Sequence, residues 1–430
     1  MRITARFFLP CLGFAAKRHF PDWPGIDDYK GYICHSSFWP AEGVDMKDKR
    51  VGVVGTGATG IQISQEAARL AKQLTCFVRT ANHCLPMNQG VVDEETAKRD
   101  IERIHGNLTV DRYINVAGML YANPTKKTFD VPADVREAIW EEAWRLGGFR
   151  PLFCFTDLLT DEAANDEAYK FWAKKRRAQL TDPFKRDLLA PVTPVHPLGG
   201  KRPSLEQNYY VQMDKPHVTL VDVKKTPISH FEERGIVTTD GKLHELDIVV
   251  LATGFDAVTG GLKNIDITGL DGQRLADKWE KGTWTYLGMT VAGFPNMMFS
   301  YGPHSPTAYS NGPTIVERQD EFMVGVMKKM RDEGKHTFVA NDDAEREWKQ
   351  MISDTHAKSL RDRVDSWYTG ANSKFCGCIA RVSRFSGLLT ICSTVPGKPR
   401  EALNYSAGVP LYCQTLEKVL ENDCEGFTLR

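Results

Sequence analysis

The pattern of apolar and polar positions gives its clearest signal between residues 51 and 78. Val51, Val53 and Val54 form a short β-branched run of the kind that fills a buried strand, residues 61–73 carry apolar positions at helical spacing, and residues 74–78 return to a strand pattern. Strand, helix and strand in that order predict a Rossmann-like α/β unit. Further along, residues 135–144 and 161–180 keep helical periodicity. Residues 218–223, 228–231 and 236–239 read as short strands, the last closing in a turn at Asp240-Gly241, and a buried strand leads into Ala252-Thr253-Gly254. Residues 315–330 read as a helix.

Between the first strand and its helix stands Gly55-Thr56-Gly57-Ala58-Thr59-Gly60, followed at helical spacing by Gln62. Gly55 permits a tight turn, Gly57 lets the backbone approach a pyrophosphate, and Gly60 lets helix and strand pack closely, so the helix N–H groups face the anion. The fingerprint carries weight because a strand precedes it and a helix follows. An acidic residue ending the next strand would accept a hydrogen bond from a ribose 2′-hydroxyl. Here Arg79 and Thr80 stand there, which selects NADP(H) with its 2′-phosphate over NAD(H).

Composition narrows the remaining options. The chain has 430 residues, 42% hydrophobic and 26% charged, with a formal net charge of zero. That length allows two or three domains, and the charge balance excludes a global pull toward nucleic acid or anionic membrane. Ten cysteines are scattered without metal-ligand spacing, which argues against a structural zinc and for reduced thiols in the cytoplasm. No apolar run is long enough to span a bilayer. No metal site and no nucleic-acid partner are expected, and the oligomeric state is left open. The basic start, apolar residues 7–16 and Lys17-Arg18 admit a secretory signal or, as favoured here, a strand and turn over residues 4–14.

Just upstream of the glycine strand, Tyr29-x-Gly31-x-x-x-His35-x-x-x-Trp39-Pro40 resembles the F-x-G-x-x-x-H-x-x-x-W-P fingerprint of Baeyer–Villiger monooxygenases, with tyrosine in the first place. Leu198-Gly199-Gly200-Lys201-Arg202-Pro203 resembles the K-R-P loop of that family, and Ala252-Thr253-Gly254 its second A-T-G motif. The resemblance implies a two-dinucleotide-binding-domain flavoprotein using FAD and NADP(H). It would convert a ketone and O2 into an ester or lactone. In such enzymes an arginine at the place of Arg202 stabilises a negatively charged flavin–oxygen adduct, and the lysine before it, Lys201 here, holds the NADP phosphate. A guanidinium suits that task because it stays protonated in a dry pocket and presents several donors. His35 joins Arg202 as a catalytic candidate, and Trp367 corresponds to a tryptophan beside the substrate pocket.

By the same resemblance, residues 1–38 are a remnant of the FAD domain and its linker. Residues 39–95 and 200–250 form the NADP domain, 96–199 a helical insertion, and 251–430 the C-terminal part of the FAD domain. In the family an earlier G-x-G-x-x-G unit binds the FAD diphosphate ahead of the stretch matching residue 4, so the FAD half is expected to be incomplete. Two rival readings follow: an NADP-binding chain without catalysis, and a flavin monooxygenase that oxygenates nitrogen or sulfur. The run Lys174-Lys175-Arg176-Arg177 is expected to be a solvated helix face, and His304, in a Pro-rich turn, a packing residue. Residues 373–395 match nothing in the family and read as a retained intron.

Overall fold

A computed structural model describes residues 2–105, 110–307, 310–371 and 400–430. The segment 373–395, and with it the intron reading, lies outside the described residues. A parallel sheet of five strands anchors the molecule: β1 (Tyr32–His35), β2 (Arg50–Val54), β3 (Gln73–Val78), β4 (Val218–Asp222) and β5 (Ile248–Leu251), in the order β1-β5-β2-β3-β4. Every neighbouring pair is parallel, so both faces must be covered, and Val51, Val53, Leu74, Val78, Val249 and Val250 are buried accordingly. Helix α1 (Ala58–Leu70) carries the chain from β2 to β3 and buries Gly60, Ile61, Ser64, Ala67 and Ala68 against the sheet.

Tyrosine at the first fingerprint position has a local use. The Tyr29 hydroxyl donates to the Leu246 carbonyl at 3.0 Å, and a Cβ on Gly31 would lie 2.2 Å from that hydroxyl oxygen, so glycine is required beside it. This contact seats the strand after it, Tyr32–His35, on β5. The sheet therefore begins before residue 39, and the boundary expected after residue 38 falls just past one of the sheet's own strands.

A helical layer leaves and rejoins this sheet through two short strands, Leu85–Pro86 and Leu205–Glu206, which pair in parallel. It includes α2 (Ala133–Leu146) and α3 (Glu162–Arg177), the latter capped by the Asp161 carboxylate, which accepts from the Ala164 N–H at 2.9 Å. The basic run ending α3 is not uniformly solvated. Arg176 is 1% exposed because its guanidinium meets the Glu206 carboxylate at 2.6 Å. The C-terminal part packs α4 (Gly312–Asp332) on α5 (Val409–Glu421) around Phe322, Val326, Tyr412 and Leu416.

Two expectations need correction. Residues 4–14 form no strand beyond an isolated bridge between Phe8 and Met297, since Pro10 has no N–H to continue a ladder. The helix after the glycine turn runs Ala58–Leu70, not 61–73. Its first turn is Ala-Thr-Gly and carries no apolar periodicity, while Gln73 is already paired with Arg50 in the sheet.

Candidate functional site

Parallel strands deliver their loops to one edge, the usual place for a ligand in an open α/β sheet. At that edge β1 ends in His35, β2 in the glycine turn, β3 in Arg79-Thr80, and β5 in Ala252-Thr253-Gly254. Gly55 has φ +113°, and a Cβ there would lie 2.4 Å from the Ala252 carbonyl oxygen; one on Gly60 would lie 2.1 Å from the Gly55 carbonyl oxygen. Gly57 differs, because nothing lies within 4 Å of where its Cβ would be. Gly57, Ala58, Thr59 and Gln62 are exposed, and no side chain caps the start of α1. The turn thus leaves a backbone-lined space with uncapped N–H donors, which fits a pyrophosphate. Gly254 has φ +84° and likewise leaves its Cβ side open, giving a second place where a ligand can lie against backbone.

The Thr56 hydroxyl donates to the Thr80 carbonyl at 2.6 Å, tying the glycine turn to the strand end that carries Arg79. Lys201 arrives from the far side of the helical layer and joins Arg79 and Lys224. Loss of water, then repulsion by Arg79 and Lys224, lowers its ammonium to about 8, with Asp365 opposing the shift. Three basic side chains, two of which repel the Lys201 ammonium, make a site for a multiply charged anion, and a 2′-phosphate fits it. Behind Lys201 the buried ring of His83 and the half-buried ring of His196 stand 4.2 Å apart, and loss of water lowers the pKa of both.

Arg202 lies beside Lys201 with its guanidinium carbon 5.5 Å from the centre of the Phe149 ring. Among the described residues no carboxylate pairs with it, so its charge is available to an anion. Gly200 packs against Val364, whose methyl would be 2.8 Å from a Cβ on that glycine, and this close approach brings the Trp367 segment up to the loop. Trp367 stacks on Phe14 at 5.4 Å with 15° between the rings.

His35 closes β1 with both ring nitrogens engaged. Its Nε2 donates to the Gly254 carbonyl at 3.1 Å, and its Nδ1 accepts from the Ser37 N–H at 3.2 Å. Burial lowers its pKa, so the ring is neutral and both nitrogens are occupied. It joins β1 to the Gly254 turn. His304 is fully buried with its Nδ1 3.1 Å from the Thr285 hydroxyl, as suits packing. Residues that the sequence did not single out are Asn82, His83, His196 and Lys224; of these only Asn82 carries a local signal, standing three residues beyond Arg79.

Comparison with known proteins agrees with this geometry. Residues 6–91 match the model of the flavin-binding monooxygenase-like family. The chain is 41% identical to cyclopentanone 1,2-monooxygenase of Comamonas sp. (strain NCIMB 9872) over 431 residues, covering 99% of this chain and 74% of that one. The chain belongs to the Baeyer–Villiger monooxygenases. Its fold matches solved members of that family. OTEMO in complex with FAD and NADP is 33% identical with a TM-score of 0.89, covering 100% of this chain and 76% of the other. Cyclohexanone monooxygenase from Rhodococcus sp. Phi1 bound to NADP+ is 33% identical with a TM-score of 0.89, covering 99% and 75%. Membership of this Baeyer–Villiger family makes the chain an oxidoreductase of α/β architecture. Among the described residues no helix is long and apolar enough to cross a membrane, and no group of His, Cys, Asp or Glu is arranged to hold a metal.

Proposed function

We propose that this protein binds FAD and NADP(H) and converts a ketone into an ester or lactone using NADPH and O2. The observation that carries this is the open glycine turn with the Arg79–Lys201–Lys224 cluster beside it, and next to Lys201 in the chain Arg202, which pairs with no carboxylate among the described residues. Nicotinamide supplies hydride, and the flavin supplies the oxygen chemistry. The chain's own residues do the rest. The backbone of Gly55, Thr56 and Gly57 and the first turn of α1 hold the pyrophosphate. Arg79, Thr80 and Lys201 hold the 2′-phosphate, and Arg202 stabilises negative charge where substrate and oxygen meet. Trp367 borders the substrate pocket, and the Gly254 turn, fixed by His35, is where flavin and nicotinamide halves adjoin. The described cysteines, all free thiols, agree with a reducing cytoplasmic setting.

The decisive test is chemical. The purified protein, supplied with NADPH, air and cyclopentanone, is expected to yield the lactone, one oxygen heavier than the ketone; with a thioether it yields little sulfoxide. A colourless protein that binds NADP+ without product would support the non-catalytic rival, and sulfoxide as main product the nitrogen- and sulfur-oxygenating one. Arg202→Lys keeps a cation but loses the planar fork, so product formation is expected to fall about tenfold with NADP+ affinity unchanged.

Lys201 adds a pH dependence. A phosphate partner needs the ammonium, which the protein holds down to about 8 before the phosphate arrives. Below that pH the charge is already present. Above it each bound phosphate must draw a proton from solvent, so affinity is lost as pH rises, by up to about tenfold per unit until the raised pKa of the complex is reached. Titration by intrinsic fluorescence is expected to show NADP+ binding weakening between pH 7 and pH 9.5, with NAD+ binding nearly flat. A flat NADP+ curve would remove Lys201 from the phosphate site.

A further inference from the structure

The loop carrying Lys201 and Arg202 is held by an interaction that neither residue makes with its own side chain. Asn82 reaches across from the strand end that bears Arg79. Its Oδ1 accepts from the Ser204 N–H at 2.9 Å, and its Nδ2 faces the Arg202 carbonyl at 3.5 Å. This amide orientation is the one that satisfies both sides; turned over, donor would meet donor. The two backbone groups flank Pro203, which has no N–H of its own to offer.

Just beyond, the chain continues as a parallel pair in which the Leu85 N–H donates to the Ser204 carbonyl at 2.8 Å and the Met87 N–H to the Glu206 carbonyl at 2.8 Å. A side-chain amide has the same acceptor and donor as a peptide unit. That of Asn82 therefore adds one more rung to this ladder, across the proline, at the point where the backbone cannot. The main chain of Asn82 is itself fixed, since its carbonyl accepts from the Cys84 N–H at 2.9 Å and from the Tyr210 hydroxyl at 3.2 Å. Two residues earlier the Thr80 carbonyl receives the Thr56 hydroxyl. One short stretch, from Arg79 to Asn82, thus touches the glycine turn with one group and the Lys201–Arg202 loop with another.

We infer that Asn82 is a positioning residue that sets the backbone of Lys201 and Arg202 beside Arg79, and so governs how strongly a cofactor carrying a 2′-phosphate is preferred over one without it. The inference rests on the phosphate-site reading above. A contribution of two hydrogen bonds, one of them long, corresponds to about tenfold in affinity.

The test compares Asn82→Leu, similar in shape but without the amide, with the unaltered protein. NADP+ affinity is expected to fall about tenfold and NAD+ affinity to stay level, while the Ser204 amide exchanges with deuterium about tenfold faster. A role confined to stability would lower the melting temperature of the variant without moving the NADP+ to NAD+ ratio, and a folded Asn82→Leu protein with an unchanged ratio would overturn the inference. Asn82→Asp keeps the acceptor and removes the donor, so its Ser204 amide is expected to stay protected; rapid exchange there would also overturn it. If the unaltered protein shows no preference for NADP+, the phosphate-site reading fails instead, and the Ser204 exchange still decides whether Asn82 clasps the loop.

Discussion

Gly57→Ala is expected to leave the fold intact and reduce NADP+ affinity by about a hundredfold, on the order of 3 kcal/mol. The backbone at Gly57 has φ −74° and ψ −175°, which alanine adopts without strain, and its Cβ would enter open space. With fewer conformations open to the unfolded chain, the variant should melt at the same temperature or slightly higher. The methyl group would, however, occupy the space where a pyrophosphate must approach the backbone. Gly55→Ala is the contrasting case. There φ is +113°, and the new Cβ would sit 2.4 Å from the Ala252 carbonyl oxygen, so turn and A-T-G crossing cannot both keep their places. Destabilisation of about 3 kcal/mol or more is expected, with binding lost as a consequence of disorder in the turn. Thermal melting alongside NADP+ titration separates the two outcomes. A Gly57→Ala protein that binds NADP+ as tightly as the unaltered one would show that no phosphate lies over this turn.

The contrast between those glycines also shows what the sequence could and could not reveal. The strand, turn and helix around Gly55–Gly60 depend on periodicity and on backbone freedom within a few residues, so they are legible locally. The strand before Ala252 is legible for the same reason, being a short apolar run that is buried on both faces. Arg79 and Thr80 could be located because they end a recognisable strand. His35 could be located but its bond could not, because its partner, the Gly254 carbonyl, lies 219 positions away. Asn82 offered only its place three residues beyond Arg79, since its amide meets Arg202 and Ser204 across 120 and 122 positions. Arg176 was misjudged because a run of four basic residues ending a helix is usually solvated, and nothing near it in sequence announces Glu206.

That pair yields the second large effect. Arg176 and Glu206 are 1% and 3% exposed and meet at 2.6 Å. Arg176 also donates from Nε and Nη2 to the Cys84 carbonyl at 3.2 and 3.0 Å, and lies against the rings of Trp144 and Tyr210 at 4.5 and 4.7 Å. The other Glu206 oxygen accepts from the Tyr209 N–H at 2.7 Å. Glu206→Gln preserves shape and removes one charge, leaving a guanidinium buried without its counter-ion, which costs about 3–5 kcal/mol. Most of this loss is expected to be recovered in the double variant Glu206→Gln with Arg176→Met, because a thioether suits the aromatic walls and no uncompensated charge remains. Urea denaturation of both single variants and the double variant gives the coupling between the two residues. Additive losses would mean that the pair acts only as two independent packing groups. The position of Glu206 makes the result relevant to function. It belongs to the two-residue strand that follows Pro203 and Ser204, so an unpaired Arg176 would loosen the same ladder that seats Lys201 and Arg202. NADP+ preference should therefore fall in Glu206→Gln and return in the double variant, in step with stability.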